Sequence, residues 1–134
     1  MSNRHRASLS AAALSAAMMV SLVAGCGTSR PAALDLTSQP AAIADRYHFI
    51  ASHQDLAEQV VCYCGCGRTL EHRQLRDCFV RDDGTFDPHG AGCGICLAEA
   101  QRVTELSAQG LTADVIAARI DESFSTVGPP TQQH

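Results

Sequence analysis

Six cysteines crowd one stretch of the chain. Cys62, Cys64 and Cys66 alternate with other residues, and Cys78, Cys93 and Cys96 follow them. Thiols packed this closely along a short segment are cross-linked, bound to metal, or kept reduced for chemistry. A disulfide framework is the plain reading for an exported chain. Bonds inside the Cys62/Cys64/Cys66 set would close small strained rings, so each of these three would pair with one of Cys78, Cys93 and Cys96. A thiolate metal site is the sharper reading. Two close-spaced cysteine sets separated along the chain are the usual grammar of structural and soft-metal sites. Gly65 and Gly67 permit a turn that swings alternating thiols together. Cys93-Gly94-Ile95-Cys96 falls where a helix is predicted to begin, and backbone N–H groups there favour thiolate.

Donor counting narrows the metal. His72 and His89 lie near the cysteines in sequence, so six thiols and two imidazoles are on offer, whereas one tetrahedral zinc uses about four ligands. Soft thiolates at high density favour Cu(I) or Zn(II) over hard cations. His48 and His53 fall on a predicted helix and read as surface or core residues. Asp82, Asp83 and Asp87 lack the spacing of a calcium loop and read as solvated turns.

The first residues place the cysteines outside the cytoplasm. Arg4 and Arg6 precede an uncharged run from Ala7 to Val23, and Val23-Ala24-Gly25-Cys26 closes it with small side chains. This is the anatomy of an export signal. Its last four residues resemble the lipobox of bacterial lipoproteins, which implies cleavage before Cys26, lipidation of that cysteine, and anchoring on the extracytoplasmic face of the cell membrane. The expected organisation is a signal peptide over 1–25, a lipidated cysteine and flexible tether over 26–41, a cysteine-rich helical domain over 42–124, and a disordered tail over 125–134. The domain is near the size at which a hydrophobic core alone is marginal. The chain has two Tyr, four Phe and no Trp, so a cross-link or metal is expected to supplement packing.

Charge excludes one class of partner. All 14 acidic residues lie after Cys26, with eight Arg and no Lys to oppose them. Nucleic-acid binding needs a basic footprint that is missing here. The sequence also holds no Ser/His/Asp arrangement, nucleotide loop or carboxylate pair of an enzyme, so a non-enzymatic role is expected.

Periodicity predicts a mainly α fold, a small helical domain with an irregular cysteine-rich loop region. Ile43, Tyr47, Ile50, Leu56 and Val60 repeat at helical spacing over 42–61, with a break near Ser52, which can cap a second piece. Residues 62–67 read as a tight loop, 68–80 hold one helical turn, and 87–92 are irregular. Ile95, Ala98, Val103 and Leu106 mark one face of a helix that Gly110 stops. Thr112 can cap a last helix carrying Val115, Ile116, Ile120 and Phe124 as a stripe packed on the helix before it.

The ordered series Cys62-Tyr63-Cys64-Gly65-Cys66-Gly67, His72, Asp77-Cys78-Phe79, His89-Gly90 and Cys93-Gly94-Ile95-Cys96 resembles the bacterial lipoproteins named for a Pro-Cys-Tyr-Cys-Gly-Cys motif. The similarity runs from about Leu56 to Phe124 and includes Ile120-Asp121. Val61 stands where the naming motif has Pro, which loosens the entry to the loop and leaves every candidate ligand in place. That family has no established activity, so the resemblance implies lipoprotein identity and a cysteine site, not a reaction. A weaker resemblance, to thiol proteins that deliver apocytochrome c for haem attachment, implies a redox role with Cys93 or Cys96 as attacking thiolate. Such a carrier needs two cysteines, and this domain has six. The expected function is therefore an exported lipoprotein that binds Cu(I) or Zn(II) through Cys62, Cys64, Cys66, Cys78, Cys93 and Cys96, with His72 and His89 as accessory ligands. It would hold the metal, deliver it to an exported metalloprotein partner, or use it for structural support. The alternatives are thiol–disulfide redox handling and a disulfide-stapled interaction domain.

Overall fold

The computed structural model describes residues 30–131. The segment expected to be a signal peptide, the expected lipidation site Cys26 and the last three residues lie outside them. Among the described residues five α-helices follow one another: α1 (Ala41–Ser52), α2 (Gln54–Ala57), α3 (Pro88–Gly92), α4 (Gly94–Ala108) and α5 (Ala113–Phe124). Short 3-10 turns occupy Leu36–Ser38, Cys66–Arg68 and Leu75–Cys78. Among the described residues the only β pairing is an isolated antiparallel bridge between Val80 and Phe86. The fold is mainly α with a cysteine-rich loop region, as the periodicity predicts.

Helix α4 is central, packing against α1, α3 and α5. Its buried face is Cys96, Glu99, Ala100, Val103 and Leu106. This stripe is rotated from the expected one, because Ile95 is only partly buried and Ala98 is exposed. The rotation follows from the cysteine: Cys96 packs into the interior, and Glu99 and Val103 continue its row at helical spacing. On α5, Ile116 and Ile120 are buried against α4, while Val115 faces solvent. Gly110 ends α4 in the left-handed region at φ 76°.

Several local expectations are corrected. The first helical stretch does break after Ser52, but Ser52 caps nothing downstream: its hydroxyl donates back to the carbonyls of His48 and Phe49. Residues 88–92 form α3 and are not irregular, because the Asp87 side chain accepts from the His89 N–H at 2.8 Å and Pro88 occupies the first turn. Thr112 precedes α5 without a capping bond to the backbone. The segment before α1 is less free than a tether. Leu34 N–H donates to the Phe86 carbonyl at 2.9 Å, and Arg81 reaches the Pro31 carbonyl at 2.9 Å. Residues 125–131 do not fray either. They run back across the cysteine loop, where Thr131 N–H donates to the Cys62 carbonyl at 2.8 Å and the Thr131 hydroxyl accepts from Cys62 N–H at 3.0 Å.

Tyr47 ties α1 to α3. It is fully buried; its hydroxyl donates to the Asp87 carbonyl at 2.6 Å and accepts from Ala91 N–H at 2.8 Å. Its ring meets Phe79 and Phe86 edge-on, at 4.8 and 5.6 Å between centroids. These bonds hold the short α3, and with it His89, against the interior.

Candidate metal centre

The loop after α2 carries Cys62, Cys64 and Cys66. A strand-like run would leave these i, i+2, i+4 side chains on one face but spread roughly 7 Å from one to the next. Gly65 prevents that by taking φ 78°, and its N–H donates to the Pro129 carbonyl at 3.1 Å. The turn brings the three thiols to one place, beside Cys78 at the end of the 3-10 turn. Three further contacts pin the loop. Tyr63 N–H donates to Glu99 of α4 at 2.8 Å, Tyr63 hydroxyl donates to Asp121 of α5 at 2.8 Å, and Thr131 brackets Cys62.

Cys93 is the residue before α4, and Cys96 lies in the first turn of that helix. His89 comes from α3. His72 is delivered by the loop after Glu71, whose φ of 58° is the only left-handed non-glycine backbone among the described residues. The His72 and His89 rings meet edge-on with centroids 5.3 Å apart.

All eight residues singled out from the sequence come together. Cys62, Cys64, Cys66 and Cys78 form one set, Cys64, His89, Cys93 and Cys96 a second, and Cys66, His72, Cys78 and His89 a third. Within each set the donor atoms lie within 4.8 Å of one another. All six cysteines among the described residues are free. Cys62 and Cys96 sulfurs are 3.6 Å apart, as are those of Cys66 and Cys78. A tetrahedral ion with metal–sulfur bonds of about 2.3 Å has sulfur–sulfur edges of about 3.8 Å. The Cys66–Cys78 pair, which belongs to one set, is therefore spaced for a shared ion with little movement. Cys64 and Cys66 sulfurs approach to 2.7 Å, and Cys64 sulfur lies 3.7 Å from His89 Nε2. His48 and His53 are exposed and take no part; the His53 ring stacks on Phe49.

The electrostatics single out one thiol. Contacts from Cys62 and the other thiols hold Cys64 far below the ordinary thiol range, while contact with Cys64 lifts Cys62 well above it. Cys66 is raised to about 12, first by Cys62 and then by Cys64. His89 is raised to about 10 because it hydrogen-bonds Cys64 and then Cys66. In the metal-free cluster the buried thiols other than Cys64 hold their protons more tightly than an ordinary cysteine, and His89 holds its own. A soft metal ion would replace the proton on His89 and those on the remaining thiols.

Glu99 was not anticipated. It is fully buried, three residues after Cys96 on the same face of α4, and it touches both Tyr63 N–H and the Cys62 thiol. A carboxylate at i+3 from a cysteine inside an otherwise apolar stripe was the available signal. The histidine edge of the cluster opens to a cleft of about 870 Å³, where His72 and His89 share the wall with Leu70, Arg73 and Arg81.

A family model described as "Protein of unknown function with PCYCGC motif" matches residues 14–133. No curated protein and no solved structure matches the chain.

Proposed function

The chain belongs to the PCYCGC-motif family, whose function is unknown, and we propose that it is an exported, lipid-anchored protein that binds a soft transition metal, Cu(I) or Zn(II), through its cysteine cluster. The observation that carries this reading is the convergence of six thiols and two imidazoles into three overlapping four-donor sets, each with its atoms within 4.8 Å. Thiolate and imidazole are the donors that soft and borderline ions select, and no hard oxygen ligand is among them. The cleft at His72 and His89 offers a path by which an ion is loaded and passed to an exported partner protein. The sequence Val23-Ala24-Gly25-Cys26 supports a tether on the outer face of the membrane.

The test is metal content and thiol titre on protein isolated from the cell envelope without chelator. We expect bound copper or zinc, and cysteines that react with a thiol reagent only after acid or chelator treatment. Protein that carries neither metal and has its six thiols paired as disulfides would overturn the reading in favour of a stapled scaffold. Free thiols that exchange readily with a small disulfide, in protein without metal, would overturn it in favour of redox handling.

A further inference from the structure

We propose that the cluster holds two metal ions bridged by the Cys64 thiolate: one bound by Cys62, Cys64, Cys66 and Cys78, the other by Cys64, His89, Cys93 and Cys96. This deepens the metal-binding reading and rests on it. The two sets share Cys64 alone. Its sulfur lies between them, 2.7 Å from Cys66 in the first set and 3.7 Å from His89 in the second. A second close approach between the sets, 3.6 Å from Cys62 to Cys96, keeps the two centres adjacent, as a single bridging atom requires.

Lone pairs decide how the donors are divided. A thiolate sulfur has several and can bind two ions at once. An imidazole nitrogen has one and serves a single ion. The third set, Cys66, His72, Cys78 and His89, therefore cannot fill beside the other two: it would take His89 from the second and load two more thiolates of the first. His72 is left over beside Cys66.

Charge does not oppose the second ion. Filling the second set removes the protons of Cys93 and Cys96 and adds a divalent ion, so these changes together leave the net charge of the interior unchanged. Cys62, Cys78 and Cys96 are wholly buried, where uncompensated charge is costly. A lone tetrahedral ion would leave half the donors unused.

The experiment is titration of the purified protein with Zn(II) under reducing conditions, read by native mass spectrometry, and with Co(II), read by electron paramagnetic resonance. We expect saturation at two ions per chain. The cobalt signal should grow over the first equivalent and fall over the second, as two spins couple through the shared sulfur. Cys93→Ser and His89→Ala each remove a donor of the second ion and none of the first, and each should bind one ion with unchanged helicity; the two variants guard against a folding defect in either. Wild-type protein that takes up no ion overturns the metal reading itself. Saturation at one ion leaves that reading standing and overturns the bridged pair. Three or more ions, or two cobalt ions that never couple, also overturn it.

Discussion

Glu99 sits in the interior with one carboxylate oxygen accepting from Tyr63 N–H at 2.8 Å and the other without a partner. Burial pushes its carboxyl up to about 7 from an ordinary 4.5. Because the folded value is the higher one, the stabilising contribution of the neutral acid is complete below the ordinary value and is lost as pH rises through 7. Metal-free protein should therefore lose roughly 3 kcal/mol of stability across that interval from this group. Glu99→Gln keeps an acceptor for Tyr63 and removes the titration. Urea melts of the metal-free proteins at pH 5 and pH 8 should show a smaller loss in the variant, and parallel losses would sink the assignment. Gly90 poses a different constraint. A Cβ there would stand 2.7 Å from the Cys78 carbonyl and 2.8 Å from the Phe79 ring. Gly90→Ala should cost about 1–3 kcal/mol by overpacking and push His89 away from Cys64. Thermal melts and metal affinity should both fall; a variant of wild-type stability and affinity would contradict the packing argument.

Among the elements, α4 organises the centre and the chain end closes it. Helix α4 contributes Cys96 and Glu99 from one face, and Cys93 is its N-cap residue. Two of the donors thus share one rigid element, while the loop thiols depend on being held against it. The segment 128–131 does part of that holding. It supplies the Pro129 carbonyl to Gly65 and both bonds of Thr131 to Cys62. Ending the chain after Val127 removes these three hydrogen bonds, each worth about 1 kcal/mol net. The truncated metal-free protein should react several-fold faster with a thiol reagent while keeping its helicity. Unchanged reaction rates would mean that the segment does not hold the loop.

At the scale of the whole molecule, a small core and a dense donor cluster make stability dependent on what the thiols bind. An ion present at about a hundredfold excess over its dissociation constant adds about 2.7 kcal/mol per site. For a domain of this size that corresponds to a rise in Tm of about 10–20 °C. Removing metal with a chelator under reducing conditions should lower Tm by this order, and an unchanged melt after verified removal would exclude a stabilising role. No helix among the described residues is long and apolar enough to cross a membrane. The proposed attachment to the membrane rests on Cys26, which lies outside those residues. Cys26→Ser should move the protein from the membrane fraction to the soluble one, and retention in the membrane would refute lipid anchoring.

Much of this protein is legible without coordinates. Cysteine and histidine types name the donor chemistry, the 3.6-residue spacing marks α1, α4 and α5, and Gly65 and Gly110 announce the loop turn and a helix end, because each of these signals is local. What stayed illegible depends on contacts between residues distant in sequence. The stripe of α4 is rotated because Cys96 is drawn inward to Cys62, 34 residues away. Pro88–Gly92 becomes helical because Asp87 caps it and Tyr47 holds it, and Thr131 leaves the polar tail because Cys62 offers it both a donor and an acceptor. The identity of the donors was thus set by composition and spacing. Their grouping into sets that share Cys64 was decided only in three dimensions, since a shared ligand is defined by distances that the order of residues does not contain.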